Sequence, residues 1–219
     1  MPKNFLRKKI TRTQLDKFVQ DHRSDKYTLD LGAGNSPYSH YFTNRLGFDV
    51  AKGKGVDVVG DAHNLPFEDE KFEVIVCNEG LEHLHTPEKA ISEMKRVLKK
   101  KGTLILTTRF IFPLHDAPHD YYRYTKYGLK HLFKDWKIIE LREEVGTIKT
   151  IAVLLQGIAF QTEPMGGKFT KGIFFLLSKI ILLFSGILKE EYGNRRSKNT
   201  IKEDSILTSG YYLVCRKRN

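Results

Sequence analysis

A short segment with two glycines is the first part of this sequence whose residue types indicate ligand binding. Asp30-Leu31-Gly32-Ala33-Gly34-Asn35 closes an apolar run, and backbone without side chains at Gly32 and Gly34 can approach a ligand closely. Dinucleotide-binding loops carry a third glycine at the spacing G-x-G-x-x-G, but Pro37 stands there in this chain. That departure argues against a nicotinamide cofactor. By itself, the segment is compatible with several nucleotide-binding folds.

Two acidic residues further along the chain narrow this interpretation. Asp49 ends a second strand-like segment, close to the spacing of about 20 residues at which a carboxylate accepts hydrogen bonds from ribose hydroxyls. Asp61 follows a third strand-like segment, where its carboxylate could meet the amine of an adenine. Ligands of parallel sheets bind at the carboxyl ends of the strands. Each acid alone could equally cap a helix or lie in solvent, but with Asp30 they are expected along one rim and favour a nucleoside site.

The elements that must position these residues alternate between strand and helix. Strands are predicted over 26–31, 46–50, 56–60, 72–77, 103–108, 136–141 and 211–216, and helices over 11–22, 87–99 and 126–133. A further helix is expected to start at Ser36-Pro37, and Gly102 with its basic neighbours is expected to end the helix that begins at Pro87. The connection 51–55 is too short and too glycine-rich for a crossover helix. The alternation predicts an α/β fold with a mostly parallel sheet wrapped by helices.

Four segments, in this order and spacing, resemble the class I methyltransferase superfamily, whose members depend on S-adenosylmethionine (SAM). They are LDLGAGN (29–35), GDAHNLPFEDEKFEVIV (60–76), LEHLHTPEKAISEMKRVLKKKGTLILTT (81–108) and HDAPHDYYRYTKYGL (115–129). The resemblance covers about residues 27–140. It implies a Rossmann-like sandwich, SAM as the cofactor and methyl transfer as the activity.

The same resemblance implies roles for individual residues at the cofactor. The backbone of Gly32–Gly34 would lie against the methionine part of SAM, Asp49 would bind the ribose, and Asn78 would flank the sulfonium. Asp61 and Ala62 would border the adenine. The full set of expected cofactor-binding residues is Asp30, Gly32, Ala33, Gly34, Asn35, Asp49, Asp61, Ala62 and Asn78. No metal site is expected.

His83 is the first candidate for acid-base chemistry. It follows the fourth strand, where related enzymes can place a histidine that faces the cofactor and the acceptor, and imidazole titrates in the range that suits a general base. In the alternative that we favour, Glu82 caps the following helix or pairs with a basic residue, and His83 packs beneath the cofactor.

The segment 115–125, HDAPHDYYRYT, is expected to contact the methyl acceptor, because it joins the fifth strand to the next helix at the ligand edge of the sheet. It resembles the P-x-D-Y/F-x-R-Y/F-T segment of bacterial methyltransferases associated with surface-glycan or small-molecule pathways. The expected acceptor contacts are Asp120, Tyr121, Tyr122 and Arg123, with His115 or His119 as the acceptor-side base. A stabilising network, in which Arg123 holds Asp120 and the tyrosines pack, is the open alternative.

An apolar insertion is predicted between the last two strands, over residues 146–209. Within it, 172–188 places one set of apolar residues on one half of a helix: Ile173, Leu176, Leu177, Ile180, Leu183, Phe184, Ile187 and Leu188. The segment falls short of the ~20 residues of a membrane-spanning helix. It could lie in an anionic membrane interface with Lys168, Lys171 and Lys189 near phosphates. A dimer contact, a lid over an apolar acceptor and ordinary packing are the alternatives.

Composition limits the remaining choices. The 219 residues suffice for one main fold, divided here into 1–25, 26–145, 146–209 and 210–219. The net charge of +11 favours a negative partner. However, the basic clusters at 3–12, 95–101, 195–198 and 216–218 match no nucleic-acid module, so nucleic acid is not the expected partner. Two distant cysteines in apolar runs and the absence of a signal peptide favour the cytoplasm.

These observations together predict a cytoplasmic SAM-dependent methyltransferase, peripheral to the membrane if the apolar insertion binds it. We expect a small-molecule acceptor or one linked to lipid or glycan, methylated at oxygen. The Asn/Asp-Pro-Pro-Tyr/Phe motif of many amino-directed nucleic-acid methyltransferases is missing at residues 78–83, which argues against methylation of base nitrogens. An RNA methyltransferase, or a SAM-binding or membrane-associated partner protein without turnover, is the alternative. A homo-oligomer stays open.

Overall fold

The computed structural model describes residues 9–35, 37–194 and 201–218. The chain forms two compact units. The described residues of the first lie within Met1–Leu15, Phe110–Leu114 and Glu143–Gly210, and those of the second within Asp16–Arg109, His115–Arg142 and Tyr211–Asn219. The predicted basic cluster at 195–198, most of the one at 3–12, and Ser36 lie outside the described residues.

The second unit is built on a seven-stranded sheet. Its strands are β1 (Thr28–Leu31), β2 (Arg45–Asp49), β3 (Val58–Val59), β4 (Phe72–Asn78), β5 (Leu98–Arg109), β6 (Trp136–Glu143) and a last strand, β9 (Gly210–Lys217). The order across the sheet is β3-β2-β1-β4-β5-β9-β6. β1 pairs in parallel with β2 and β4, β2 with β3, and β4 with β5. The prediction of an α/β fold with a mostly parallel sheet is confirmed.

The helices of this unit form where apolar residues recur at helical spacing. α1 (Ile10–Asp21) starts in the first unit and buries Phe18, which stacks on Tyr212 with ring centroids 4.4 Å apart. α2 (Pro87–Val97) has proline in its first turn and buries one face, Ala90, Ile91, Met94 and Val97. α3 (Lys126–Leu132) is capped by Thr125, whose hydroxyl accepts from Gly128 N at 3.0 Å. All three lie close to their predicted positions.

Three local predictions were wrong. Residues 37–44, which the structure describes, contain a single 3-10 turn (Ser39–Tyr41) where a helix was expected. Directly after this turn, Phe42 pairs with Ser24 in a parallel bridge, so the chain is already extended before β2. Glu82 was expected to cap the following helix, but it lies in a separate 3-10 turn (Leu81–His83), and α2 begins only at Pro87. Gly102 lies inside β5 and does not end α2. β5 starts at Leu98, which pairs with Phe72, and a Cβ at Gly102 would lie 2.8 Å from the Lys99 carbonyl oxygen.

In the first unit, the described residues after Glu143 form two helices and an antiparallel strand pair. α4 (Thr147–Gln161) and α5 (Gly167–Leu183) are followed by β7 (Glu191–Asn194), which pairs antiparallel with β8 (Ile201–Glu203). α5 begins and ends earlier than the predicted 172–188. No strand was predicted within the insertion 146–209, yet β7 and β8 lie there. No helix in the described part of the chain is long and apolar enough to span a bilayer.

The buried side of α5 lies opposite the half on which the sequence places the apolar residues. Of the α5 residues, all of which the structure describes, Phe175 and Ser178 are the buried ones. Phe175 packs edge-to-face on Phe160 of α4, with centroids 5.0 Å apart. The predicted apolar half is instead exposed, and so are the residues just beyond the helix end: Ile173, Leu176, Leu177, Ile180, Leu183, Phe184, Ile187 and Leu188.

Candidate functional site

The glycine loop after β1 has the backbone conformation that its composition predicts. Gly32 and Gly34 have φ of 77° and 49°, in the left-handed region that favours glycine. The N–H groups of Gly32 and Ala33 donate to the Phe48 carbonyl oxygen at 2.9 and 3.1 Å, which ties the loop to β2. A Cβ built on Gly32 would meet no atom of this chain within 4 Å. The loop therefore leaves open space beside Gly32 that a ligand can occupy.

Asp49 lies next to this loop. Its Oδ2 accepts a hydrogen bond from Gly34 N at 2.9 Å and its Oδ1 one from Ala51 N at 3.2 Å. A carboxylate has about four lone-pair positions, so acceptor capacity remains for ribose hydroxyls. The structure thus brings together the residues predicted for the methionine part and for the ribose, while Asn35 at the end of the loop is exposed.

Asp30, the first of the predicted cofactor-binding residues, forms an ion pair beneath the glycine loop. It is largely buried, and its Oδ2 accepts from Arg45 Nε at 3.1 Å. Arg45 also donates to the carbonyl oxygen of Gly55, and Gly55 N donates to Gly34 O at 3.0 Å. A Cβ on Gly53 would lie 2.5 Å from the same oxygen. Through Arg45, Asp30 therefore anchors the short connection 51–55, which packs directly on the glycine loop.

Asp61 and Ala62 follow the edge strand beside Asp49, since Gly60 N donates to Asp49 O at 2.9 Å. The Asp61 side chain is largely exposed, and Oδ1 accepts from the backbone N and the Nδ1 of His63 at 2.9 and 2.5 Å. These hydrogen bonds lower the pKa of the Asp61 carboxyl. An exposed, ionised acid at this edge fits the predicted adenine contact.

Asn78 ends β4, one strand away from the glycine loop. Its Oδ1 is buried and has no hydrogen-bond partner within the described residues. Glu79 follows with φ of 52° and forms an ion pair with the buried Arg109. A buried acceptor without a partner is uncommon in folded proteins, and at the predicted sulfonium position it fits contact with a positively charged ligand.

On the acceptor side, Glu82 is fully buried. Its Oε2 accepts from the Thr108 hydroxyl at 2.8 Å, and its Oε1 has no hydrogen-bond partner in the part of the chain that the structure describes. Burial raises the pKa of this carboxyl to about 7. The Glu82 carbonyl oxygen accepts from Tyr121 N and Tyr122 N at 3.0 and 3.2 Å. The segment 115–125 is thereby docked on the residues that follow β4.

The three candidate histidines, His83, His115 and His119, lie close together where the segment 115–125 docks on the residues that follow β4. The rings of His83 and His115 have centroids 4.8 Å apart. His83 Nδ1 donates to the carbonyl oxygen of His119 at 2.7 Å, which leaves Nε2 as the acceptor nitrogen of the neutral ring. The His119 imidazole is exposed, with Nδ1 3.1 Å from the Tyr121 hydroxyl.

Asp120 and Arg123 form a bidentate ion pair at 2.5 and 2.6 Å. The Asp120 side chain is buried, and its Oδ2 also accepts from His115 N at 2.9 Å. Arg123 holds the pKa of Asp120 down at about 2. This is the stabilising network that the sequence left open. Tyr121 and Tyr122 are exposed at 45% and 40%, so their rings are accessible to an acceptor.

A family model described as a methyltransferase domain matches residues 29–106, a range that contains the glycine loop, Asp49, Asp61, Asn78 and His83. The chain carries a class I methyltransferase domain. The predicted fold and superfamily are thus confirmed, and the family implies SAM as the cofactor.

Named relatives share this methyltransferase domain. The uncharacterized methyltransferase YcgJ of Bacillus subtilis is 33% identical over 117 residues, which cover 45% of this chain and 44% of the relative. The demethylmenaquinone methyltransferase of Thermobifida fusca is 34% identical over 105 residues, or 39% and 44% of the two chains. This chain thus spans less than half the length of either relative.

A solved structure shares the fold over most of the chain. The 1,6-didemethyltoxoflavin-N1-methyltransferase of Burkholderia thailandensis, solved with 1,6-didemethyltoxoflavin and S-adenosylhomocysteine, has a TM-score of 0.57 and 12% identity. The match covers 97% of this chain and 80% of the other.

Sequence reasoning missed two features of the methyltransferase domain. His63 is buried, stacks on His85 with centroids 4.1 Å apart, and accepts from Thr86 N at 3.3 Å. The D-x-H spacing of Asp61 and His63 was the available signal. The ion pair of Glu79 and Arg109 had no local signal, because the residues are distant in sequence.

Proposed function

We propose that this chain transfers the methyl group of SAM to a hydroxyl oxygen of a small-molecule acceptor. The conformation of Gly32 is the observation that carries the proposal. It is left-handed, as glycine permits, and a Cβ there would enter space that no atom of this chain fills. Packing within the protein does not require that space, whereas a cofactor lying against the loop does. Asp49 beside Gly34 supplies the acceptor for the ribose.

The acceptor would bind between the residues that follow β4 and the segment 115–125. Methyl transfer is an in-line displacement, in which the sulfonium–methyl bond breaks as the new oxygen–methyl bond forms and the hydroxyl gives up its proton. His119 is the best placed base. Its imidazole is exposed beside the accessible ring of Tyr121, whereas His115 faces Asp120 at 3.3 Å and Glu82 at 4.0 Å.

We further propose that the methyl acceptor is linked to a lipid or a glycan. The composition and exposure of α5 support this part of the proposal. This helix exposes its apolar half and carries Lys168 and Lys171 in its first turns and Lys179 further along. Apolar side chains bordered by lysines are typical of helices that lie in an anionic membrane interface. We propose that α5 binds such a surface.

The experiment is incubation with SAM labelled in its methyl group and with separated metabolite, lipid, glycan, RNA and protein pools. Label in the metabolite, lipid or glycan pool is expected. Label in RNA would overturn the proposed acceptor class and favour the RNA alternative. Binding of SAM without transfer to any pool would favour a partner protein.

Gly32→Val tests the cofactor site, and Gly167→Val is its matched control. Both glycines have positive φ, and neither would bring a Cβ within 4 Å of another atom, so both substitutions strain the backbone similarly. By calorimetry, Gly32→Val should abolish SAM binding, and Gly167→Val should leave it intact. Retained affinity in Gly32→Val would overturn the cofactor placement.

A further inference from the structure

We propose that Glu82, His83 and His115 bind one divalent transition-metal ion of the zinc class. Each residue offers a potential ligand atom, and the three atoms lie within 4.8 Å of one another. All three residues belong to the second unit. The Glu82 side chain is fully buried, and those of His83 and His115 are 21% and 18% exposed. The sequence had predicted no metal site.

The unpartnered oxygen of Glu82 is the observation that points to a ligand. Oε1 is buried, has no hydrogen-bond partner within the described residues, and lies 4.0 Å from His115 Nε2. A buried carboxylate oxygen without a partner is costly, and buried charges are normally paired or coordinate metals. A cation bound between the two atoms would supply the missing partner.

Each proposed ligand is already held through its other polar atom. His83 Nδ1 donates to His119 O at 2.7 Å, and Glu82 Oε2 accepts from the Thr108 hydroxyl at 2.8 Å. His115 Nδ1 lies 3.3 Å from Asp120 Oδ2. Metal-binding histidines commonly donate their second ring nitrogen to a carbonyl or carboxylate, which fixes the tautomer and the ring orientation. In both rings Nε2 is then the nitrogen left for the metal. That of His83 also lies 3.9 Å from the carboxylate of the exposed Asp116.

The ligand types select the class of ion. Imidazole suits zinc, iron, copper and nickel, whereas magnesium and calcium take oxygen ligands. Bonds of about 2.0–2.2 Å place the ligands of a tetrahedral zinc ion roughly 3.3 Å apart. The three atoms, within 4.8 Å of one another, would therefore move together by at most about 1.5 Å. Three protein ligands leave a coordination position for an outside oxygen.

The position of the site assigns the ion a role in methyl transfer. This role rests on the proposed function. Glu82 and His83 follow β4, and Thr108 is the last residue but one of β5, so the open coordination position lies at the edge proposed for the acceptor. A hydroxyl oxygen bound there would be oriented by the ion and would lose its proton more easily, with His119 receiving that proton.

Metal binding is measured without methyl transfer, so the two proposals fail separately. The untagged full chain is stripped with EDTA and titrated with Zn²⁺ by calorimetry and with Co²⁺ by visible absorption. One ion per chain is expected, with a Co²⁺ spectrum typical of nitrogen and oxygen ligands, and no comparable binding of Mg²⁺. SAM affinity is measured on the same protein. SAM binding without metal binding overturns this inference alone.

Variants of the proposed ligands and of Thr108 locate the ion. Thr108→Val should weaken Zn²⁺ binding about 10- to 100-fold, as expected for loss of an outer partner of a ligand, and Glu82→Gln and His115→Gln should weaken it more. His131→Gln is the control, because His131 is exposed on α3 and should bind as the unmodified chain does. Unchanged affinity in Glu82→Gln and His115→Gln overturns the site. If circular dichroism shows that these variants misfold, they are replaced by His83→Gln, because His83 is partly exposed. Weaker Zn²⁺ binding by His83→Gln supports the site. Unchanged affinity overturns it.

Discussion

The backbone N–H of Gly34 donates a hydrogen bond to Asp49 Oδ2 at 2.9 Å. This contact joins the loop after β1 to the end of β2 and places an acidic side chain at the rim of the open space beside Gly32. In a parallel sheet, adjacent strand ends form the ligand edge. The two parts of the predicted cofactor site are therefore held at a fixed separation before any ligand binds.

Asp49→Ala should weaken SAM binding roughly 10- to 100-fold, since hydrogen bonds to a charged group contribute about 1.5–3 kcal/mol each. Calorimetric titration with SAM and with S-adenosylhomocysteine measures the loss, which should be similar for both because the ribose is common to them. Asp25→Ala, at an exposed residue before β1, is the control. Equal affinities for Asp49→Ala and Asp25→Ala would remove Asp49 from the site.

The cofactor half of the site could be predicted from the sequence because its signals are local. The glycines that need positive φ and the acids that end β2 and follow β3 lie within short segments whose periodicity identifies the strands. The residues that brace this half come from elsewhere. The pairing of Arg45 with Gly55 depends on how two short crossovers fold back, and no residue pattern indicated it.

The orientation of α5 shows a different limit. Hydrophobicity predicted an apolar half for this helix and left open whether a membrane, a second copy, the acceptor or the rest of the chain covers it. The structure buries Phe175 and Ser178 on the opposite side, because Phe175 packs on an aromatic ring of α4. Periodicity finds an apolar surface, but it does not identify what covers that surface.

His119→Gln should lower kcat for methyl transfer about 10²- to 10⁴-fold, the usual contribution of a positioned general base. The affinity for SAM should stay unchanged, because the variant keeps the backbone carbonyl that holds His83. Steady-state kinetics with the acceptor found in the labelling experiment, together with SAM titration, check both parts. His131→Gln should retain full kcat, and an equal kcat in His119→Gln would exclude His119 as the base.

Glu93 should contribute stability that depends on pH. Its carboxylate accepts from Arg96 at 2.7 Å and from Leu65 N at 2.8 Å, and the Arg96 hydrogen bonds lower its pKa below the ordinary 4.5. Because the folded-state pKa is the lower one, the stabilisation is fully present above pH 4.5 and is lost as the pH falls through the folded-state pKa. Glu93→Gln should therefore melt below the unmodified chain at neutral pH, with the difference shrinking in acid. Glu68→Gln, at an exposed residue, should show no such trend. A Tm difference for Glu93→Gln that is independent of pH would contradict this account.

The exposed half of α5 should bind anionic vesicles. Leu176 and Ile180 are exposed at 53% and 41%, and inserting an apolar side chain of this size into a membrane interface contributes about 1.5 kcal/mol or more. Leu176→Glu and Ile180→Glu should each reduce co-flotation with phosphatidylglycerol vesicles at least about tenfold, and added salt should weaken binding of the unmodified chain because its lysines contact the headgroups. Ile139→Glu, at a similarly exposed apolar residue of β6, should float normally. If the unmodified chain does not float but sediments as a dimer that Leu176→Glu dissociates, the exposed half of α5 is a contact between two copies and the membrane proposal is wrong.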